Sequence, residues 1–203
     1  MEKILGLTED EIRACGYATH LPVLDFLLDE IQPKKVLEWG MGLYSTPLLI
    51  EKTKVQVCSI ETASEEWYKK IHDKYSLSPN FSIRKKISKT GALEILSDIE
   101  EDWDLVFNDG DTYSRHIIAQ AAQYWNTVIV SHDTQEKQYF YNAILLREGW
   151  VWMDIKDYSV WTSVLCNRPK LLEILSRKFQ ITKQYRNDEL RNKEFTNDHG
   201  RVL

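Results

Sequence analysis

Two acidic residues and two glycines stand at the ends of neighbouring apolar runs. In the segment 36–46, VLEWGMGLYST, an apolar run reaches Glu38, and Gly40 and Gly42 follow it. The next run, VQVCSIE, ends in Glu61. An acid about 20 residues after a glycine turn commonly accepts hydrogen bonds from ribose hydroxyls, and glycines let the backbone approach a ligand closely. The pattern predicts a site for a nucleoside-bearing cofactor.

Glu38 helps to distinguish between the cofactors that such a turn can bind. The dinucleotide fingerprint G-x-G-x-x-G would place its third small residue at Ser45. A carboxylate two places before the first glycine would repel a pyrophosphate, but it suits a ligand that carries an ammonium and a sulfonium. The helix that follows, which we expect Ser45 to cap, would offer free N–H groups to the ligand.

A second group of polar side chains follows two later apolar runs. WDLVFND ends in Asn108 and Asp109, and NTVIVSHD ends in His132 and Asp133. His132, with an ordinary pKa of about 6.5, is a candidate base. The structural alternatives are a hydrogen-bonded histidine at a strand end and an aspartate that forms a turn before Gly110.

These residues are placed by an alternation of strands and helices. Repeated strand–helix units predict an α/β fold with a doubly wound, mostly parallel sheet of seven strands. The last two β segments, WVWMDIK and VWTSVLC, are joined too tightly for a parallel crossover, so they predict a C-terminal antiparallel hairpin. Helices are expected over Leu21–Ile31, 91–99 and 135–148, among others. We expect one domain over 1–180 with an N-terminal helical segment, and a polar tail over 181–203 that is loose or docked on a partner.

Length, charge and cysteine spacing limit which kinds of protein and which partners the chain fits. The chain has 203 residues and a net charge of −5, which suits a single domain and argues against a nucleic-acid partner. Cys15, Cys58 and Cys166 match no zinc or disulfide spacing and suit a reducing compartment. The sequence has no signal-peptide pattern at its start and no apolar stretch of about 18 residues. We expect a cytoplasmic protein with no membrane partner, and homo-oligomerisation stays open.

Four segments in order resemble the class I S-adenosylmethionine-dependent methyltransferases, in particular their small-molecule, O-methyltransferase-like members. VLEWGMGLYST is similar to the first motif of that family, and CSIETASEEWYKKI is similar to the second. WDLVFNDGD and NTVIVSHDT resemble the ends of its fourth and fifth strands. The resemblance covers roughly residues 21–166. It implies a Rossmann-like fold, S-adenosylmethionine as cofactor and methyl transfer to a small molecule, with oxygen as the favoured acceptor atom.

The resemblance implies roles for individual residues. Glu38 would lie at the methionine end of the cofactor, Glu61 would hold the ribose and Thr62 would border the adenine. A further adenine contact is expected near 88–91, where SKTG lacks the family's usual acid. The implied cofactor-binding residues are Glu38, Gly40, Gly42, Ser45, Thr46, Glu61, Thr62 and Asp109.

The acceptor side is implied in the same way. His132, Asp133 and Asp109 are the expected catalytic residues, and Tyr44 and Tyr113 are the expected substrate-binding residues. In metal-dependent members, acids at the positions of Asp109 and Asp133 hold magnesium, and the second of them belongs to an adjacent Asp-Asn pair. This chain has Thr134 after Asp133, so magnesium stays an optional cofactor. His20, which precedes the first long helix, has two interpretations: it caps the pocket, or it lies at the surface, which is the favoured expectation.

Two other functions remain open. A methyltransferase-like subunit without activity would bind the cofactor, or nothing, and act as a scaffold. An NAD(P)-linked oxidoreductase would use a similar sheet, but Glu38 and the missing third glycine count against it. The N-P-P-Y corner of enzymes that methylate base amines is also absent from the sequence around Asn108.

Overall fold

A computed structural model describes residues 3–54, 56–85, 102–125 and 127–195. The helices in these ranges are α1 (Glu9–Ala14), α2 (Leu21–Ile31), α3 (Ser45–Lys52), α4 (Glu65–Tyr75), α5 (Arg115–Ala122) and α6 (Pro169–Lys178). The strands are β1 (Lys35–Trp39), β2 (Gln56–Glu61), β3 (Phe81–Lys85), β4 (Leu105–Asn108), β5 (Val128–His132), β6 (Val151–Ile155), β7 (Thr162–Cys166) and β8 (Ile181–Arg186). None of the described helices is both long and apolar enough to cross a bilayer.

All described strands belong to one sheet with the order β3-β2-β1-β4-β5-β7-β6-β8. Strands β1 to β5 run parallel, and β7 is antiparallel to both β5 and β6. The doubly wound parallel sheet and its C-terminal antiparallel hairpin are therefore confirmed. The strand order reverses direction between β1 and β4, and in such sheets the ligand site lies beyond the carboxyl ends of the strands at this point.

The sheet has eight strands rather than the seven that the sequence predicts. The additional strand, β8, pairs antiparallel with β6 and places Tyr185 opposite Trp152. Tyr185 is the one residue of β8 that is buried, so the segment ITKQYR carries too little apolar pattern to stand out as a strand. Further along, Leu190 is fully buried. Residues 181–195 are thus part of the folded structure and not a loose tail.

Apolar side chains cover both faces of the sheet, which explains why its central strands lack polar alternation. On one face, α2, α3 and α6 pack against side chains such as Val36 and Phe107. On the other face, α5 packs against Trp39 and Trp152. Every residue of β4 and β5 is buried. The polar groups at the ends of these strands consequently lie next to a water-poor interior.

The helix predicted over 135–148 is wrong. The segment forms two short 3₁₀ turns, Lys137–Tyr139 and Tyr141–Ala143. Between them Phe140 has a φ of 54°, a left-handed conformation that interrupts a helix. Tyr141 is fully buried and its hydroxyl donates to the carbonyl of His132 at 3.3 Å, so a tertiary contact overrides the helical pattern. The helix predicted over 91–99 lies outside the described residues.

Candidate functional site

The carboxylates of Glu38 and Glu61 lie on the same face of the sheet. Glu38 is opposite Ser59 in the register of β1 and β2, and the Ser59 hydroxyl donates to Glu38 Oε2. Glu61 is two residues beyond Ser59 on β2, and side chains two apart on a strand point to the same face. The two acids therefore face the same side from neighbouring strand ends, as the sequence predicts.

Glu38 is completely buried, and half of its carboxylate lacks a partner. Its Oε2 accepts a 2.8 Å hydrogen bond from Thr46 Oγ1 as well as the bond from Ser59. Its Oε1 has no hydrogen-bond partner among the described residues. Burial raises the pKa of Glu38 to about 7, although the hydroxyls of Ser45, Ser59 and Thr46 act to lower it. A buried carboxylate oxygen without a donor fits a cationic ligand group, because such an oxygen is costly when it stays unpaired.

Glu61 is held at the turn that follows β2. Its Oε1 accepts hydrogen bonds from the backbone N–H groups of Ala63 at 2.7 Å and Ser64 at 3.0 Å. Burial raises the pKa of Glu61, and these N–H groups oppose the increase. The next residue, Thr62, accepts a 3.2 Å hydrogen bond at Oγ1 from the N–H of Asp111. The end of β2 is in this way tied to the loop that follows β4.

The two glycines of the turn after β1 have different surroundings. Gly40 has a φ of +85°, and a Cβ at this position would lie 2.4 Å from the carbonyl oxygen of Asp109. Glycine therefore lets the ends of β1 and β4 touch. Gly42 donates its N–H to Thr46 Oγ1 at 3.1 Å, and its Cβ would meet the hydroxyl of Ser45 at 2.6 Å.

The first turn of α3 differs from the prediction by one position. Helix α3 begins at Ser45 itself, and the N-cap residue Tyr44 makes no capping hydrogen bond with its side chain. The Tyr44 hydroxyl instead accepts a long hydrogen bond of 3.7 Å from Cys15 Sγ. Tyr113 is 77 % exposed. The assignment of these two tyrosines to substrate binding stays a prediction.

Asp109, His132 and Asp133 lie together at the carboxyl ends of β4 and β5, around Arg115, for which no role was predicted. Arg115 Nη2 is 2.8 Å from Asp109 Oδ1, and its Nη1 is 3.3 Å from Asp133 Oδ2. The guanidinium also donates to the carbonyl oxygens of Gly110 and His132. On the other side of Asp109, Oδ2 is 3.4 Å from His132 Nδ1.

The charges of this corner shift one another's ionisation. Burial acts to raise the pKa of Asp109, but Arg115 and His132 bring it well below its usual range. Burial acts to lower the pKa of His132, but Asp133 and Asp109 raise it above its ordinary value. Arg115 is 5 % exposed, and its guanidinium also stacks on the ring of Tyr139 at 3.8 Å. The corner is a nearly buried cluster in which two carboxylates share one permanent cation.

This donor set does not fit a magnesium ion held by Asp109 and Asp133. Magnesium requires an octahedral shell of oxygen ligands, whereas Arg115 already pairs with both carboxylates. Thr134, which stands where the magnesium-dependent proteins carry asparagine, shares a 2.6 Å hydrogen bond with Ser163 Oγ.

His20 belongs to the same corner, and the expectation that it lies at the surface is wrong. The residue is 2 % exposed, with its ring 4.8 Å from that of Phe107 and 4.7 Å from that of His132. Neither ring nitrogen has a hydrogen-bond partner among the described residues. The sequence does not decide between a surface position and a position at the pocket, because His20 precedes α2 and is brought to β5 only by tertiary packing.

Comparison with solved structures identifies the fold. TomG, an O-methyltransferase from Streptomyces achromogenes solved in complex with S-adenosylmethionine, is 16 % identical over 80 % of this chain and 92 % of its own, with a TM-score of 0.54. An O-methyltransferase from Bacillus cereus in complex with S-adenosylhomocysteine is 19 % identical over 77 % of this chain and 89 % of its own, with a TM-score of 0.55. The chain has a class I O-methyltransferase fold.

A third solved structure agrees with the first two. The S-adenosylhomocysteine-bound methyltransferase PaMTH1 from Podospora anserina is 13 % identical over 77 % of this chain and 81 % of its own, with a TM-score of 0.53. No protein-family model matches the chain, and no curated protein matches it. The structural similarity to these proteins establishes the methyltransferase fold.

Within the methyltransferase fold, several site residues were not identifiable from sequence alone. Arg115, Ser59 and His20 are of types that occur throughout the chain, and only the folded structure brings them to the carboxylates. Asn108 supports the corner by donating from Nδ2 to the carbonyl of Arg115 at 2.8 Å. The adenine contact expected near 88–91 lies outside the described residues.

Proposed function

We propose that the protein transfers a methyl group from S-adenosylmethionine to a hydroxyl oxygen of a small molecule. The observation that carries this proposal is the placement of Glu38 and Glu61 on one face at neighbouring strand ends. Glu38 Oε1 has no hydrogen-bond partner among the described residues, and a positively charged group of the ligand would satisfy it. A dinucleotide pyrophosphate would bring negative charge to this position, so the site favours the sulfonium cofactor.

The cofactor's methionine part would lie over the turn after β1. Glu38 would face its positive charges, and the glycine backbone of Gly40 and Gly42 would permit close approach. Glu61 would accept hydrogen bonds from the ribose through the capacity left beyond its two backbone bonds. Thr62, which connects β2 to the loop after β4, would border the adenine.

The acceptor would lie at the corner of Asp109, His132 and Asp133. Its hydroxyl loses a proton there, the proton leaves to solvent, and the oxygen attacks the methyl carbon. The bond between carbon and sulfur breaks as the bond between oxygen and carbon forms, and sulfur keeps the electron pair, so S-adenosylhomocysteine is released. Because the methyl group is already activated, alignment of donor and acceptor supplies most of the acceleration, and the negative corner assists proton removal.

We further propose that the substrate is a small molecule and that the protein acts in the cytoplasm. The net charge of −5 disfavours a phosphate backbone as partner. All three cysteines are free thiols, which suits a reducing compartment. Magnesium is not part of the proposal, since Arg115 engages both candidate carboxylates.

The proposal is tested by an acceptor screen with mass-spectrometric detection of S-adenosylhomocysteine and of a product heavier by one methylene. Phenols, catechols and hydroxy acids form the acceptor set. We expect turnover that Asp133→Asn lowers at least about tenfold, while Glu51→Gln, a change at an exposed acid on α3, leaves it unchanged. Binding of S-adenosylmethionine without turnover on any acceptor would instead support a scaffold subunit.

A further inference from the structure

We propose that His20, Asp109 and His132 form a binding site for one divalent transition-metal ion. The inference deepens the proposed function, on which its role in catalysis rests, because the ion would lie where the acceptor hydroxyl has to be deprotonated. The metal-binding claim itself depends only on the three side chains and their surroundings.

The three side chains converge in a nearly buried space. One ligand atom from each lies within 4.8 Å of the others. Donors around an ion bound at about 2.1 Å lie roughly 3 to 4 Å apart, so a side-chain adjustment of about 1 Å or less would close the site. His20 and His132 are 2 % and 3 % exposed, which removes the competition from water that weakens metal binding at a surface.

The hydrogen bonds around His132 indicate which of its ring nitrogens carries a proton. The hydroxyl of Thr19 donates its single proton to the carbonyl of Gly16 at 3.1 Å. With that proton directed at Gly16, its oxygen accepts from His132 Nε2, 2.9 Å away, in the tautomer that carries the proton on Nε2, and the proposal adopts this tautomer. This leaves His132 Nδ1 facing Asp109 Oδ2 at 3.4 Å. Two lone pairs at this distance require a cation between them, and the outer hydrogen bond to Thr19 is the support that metal-bound histidines usually have.

His20 supplies a second, independent indication. It is buried, and both of its ring nitrogens lack a hydrogen-bond partner among the described residues. Its ring meets that of His132 edge-on, with centroids 4.7 Å apart. A buried imidazole without partners is unfavourable, whereas coordination through one nitrogen would satisfy its lone pair.

Arg115 explains why the ion would be a transition metal and not magnesium. The guanidinium occupies Asp109 Oδ1 and Asp133 Oδ2. Of the two carboxylate oxygens that remain, Asp109 Oδ2 lies nearer to His132 Nδ1, at 3.4 Å compared with 3.9 Å for Asp133 Oδ1, and is taken as the carboxylate ligand. Two imidazole nitrogens and one carboxylate oxygen suit Zn²⁺, Co²⁺ or Fe²⁺, whereas magnesium prefers oxygen ligands alone. Three protein ligands leave a coordination position open, as catalytic sites do.

The partly exposed side of the corner allows an acceptor to reach the open position. The side chains of Asp109 and Asp133 are 23 % and 14 % exposed, compared with 4 % for His132. An ion bound here would lower the pKa of a coordinated hydroxyl, as it does for bound water. The rival occupant of the gap between His132 Nδ1 and Asp109 Oδ2 is a proton, which would make the pair an imidazolium–carboxylate ion pair.

The test uses the full-length protein, treated with a chelator and then titrated separately with Zn²⁺, Co²⁺ and Mg²⁺ in a calorimeter. The visible spectrum of the Co²⁺ form reports its ligands, and a thiolate-to-cobalt charge-transfer band would reveal binding at cysteine instead. The ligand variants are His20→Leu, Asp109→Asn and His132→Gln, and Thr19→Val removes the outer hydrogen bond. His116→Leu is the matched control, because His116 is a partly buried histidine on α5 whose ring packs against Phe140.

We expect one equivalent of Zn²⁺ or Co²⁺ and no Mg²⁺ at comparable concentrations. Each ligand variant should weaken Zn²⁺ binding by about 100-fold or more, and Thr19→Val should weaken it by about 10- to 100-fold. His116→Leu should bind as the wild type does. Absence of bound metal in correctly folded protein, or unchanged affinity in both His20→Leu and His132→Gln, would overturn the site and leave the imidazolium–carboxylate pair.

S-Adenosylmethionine binding, measured on both the chelated and the metal-loaded samples, separates the two proposals. Cofactor binding without metal binding contradicts the metal site alone. If metal-loaded wild-type protein does not bind S-adenosylmethionine, the result contradicts the proposed function and leaves the metal site intact.

Discussion

The hydroxyl of Thr46 donates a 2.8 Å hydrogen bond to Oε2 of Glu38 and so ties the first turn of α3 to the end of β1. The same hydroxyl accepts the N–H of Gly42 at 3.1 Å. The glycine turn, the helix and the buried acid thus form one hydrogen-bonded unit. Glu38 Oε1 has no hydrogen-bond partner among the described residues, and it marks the position at which we expect the cofactor's positive charge.

Glu38 should make the cofactor-free protein lose stability as pH rises. Burial raises its folded-state pKa from 4.5 to about 7, so between these values the unfolded chain ionises while the folded one stays protonated. The free energy of unfolding should fall over this window by up to about 3 kcal/mol. Urea unfolding at pH 5 and pH 8 should show a smaller fall in Glu38→Gln than in the wild type. An equal fall in both proteins would show that Glu38 is not the group responsible.

Gly40→Ala should be strongly destabilising because its Cβ would collide with backbone. The collision is with the carbonyl oxygen of Asp109 at 2.4 Å, and it adds to the strain of a φ of +85°. Gly149→Ala is the matched control, because Gly149 has a φ of +80° and nothing within 4 Å of its Cβ position. We expect a loss of about 1 to 2 kcal/mol for Gly149→Ala and at least about 3 kcal/mol for Gly40→Ala. Equal losses in thermal unfolding would contradict the close contact between β1 and β4.

Removing the charge of Arg115 should destabilise the acceptor corner. In Arg115→Met, Asp109 and Asp133 would keep their burial but lose their shared cation, and breaking a buried pair from one side costs about 3 to 5 kcal/mol. Arg115→Lys should lose less, since it keeps the charge but cannot reproduce the forked contacts. Chemical denaturation of the three proteins checks this order. A stability of Arg115→Met within about 1 kcal/mol of the wild type would contradict the buried ion-pair network.

The segment after α6 should contribute to stability through Lys193. Its ammonium is 2.6 Å from Asp154 Oδ1, and both side chains are completely buried. Lys193→Met or Asp154→Asn alone should therefore cost about 3 to 5 kcal/mol. The double variant should cost clearly less than the sum of the two, which a double-mutant cycle would measure. Additive effects would show that the pair is not coupled.

The sequence predicts the core of the sheet because its physical signals are local. Buried runs such as 36–39 and 128–131 have no polar alternation, and a parallel sheet requires that pattern. Strand β8 was not predicted, because it is an edge strand in which one residue, Tyr185, is buried. The false helix over 135–148 has the right periodicity, but the burial of Tyr141 and the left-handed Phe140 override it.

The residues of the site likewise include some that local sequence signals predict and others that they do not. Glu38 and Glu61 were predictable because each ends a recognisable strand, and parallel strands end at one edge. Arg115 and His20 were not predictable, since their positions depend on how α5 and the residues before α2 pack onto the sheet. The predicted roles of Tyr44 and Tyr113 in substrate binding stay predictions.

Calorimetric titration with S-adenosylmethionine tests the central claim, which is that Glu38 and Glu61 together bind this cofactor. We expect one cofactor per chain for the wild type and for the exposed-acid control Glu51→Gln, and weaker binding by at least about tenfold for Glu38→Gln and Glu61→Gln. NAD should produce no heat of binding. Undiminished affinity in both site variants, or binding of NAD in place of S-adenosylmethionine, would contradict the account.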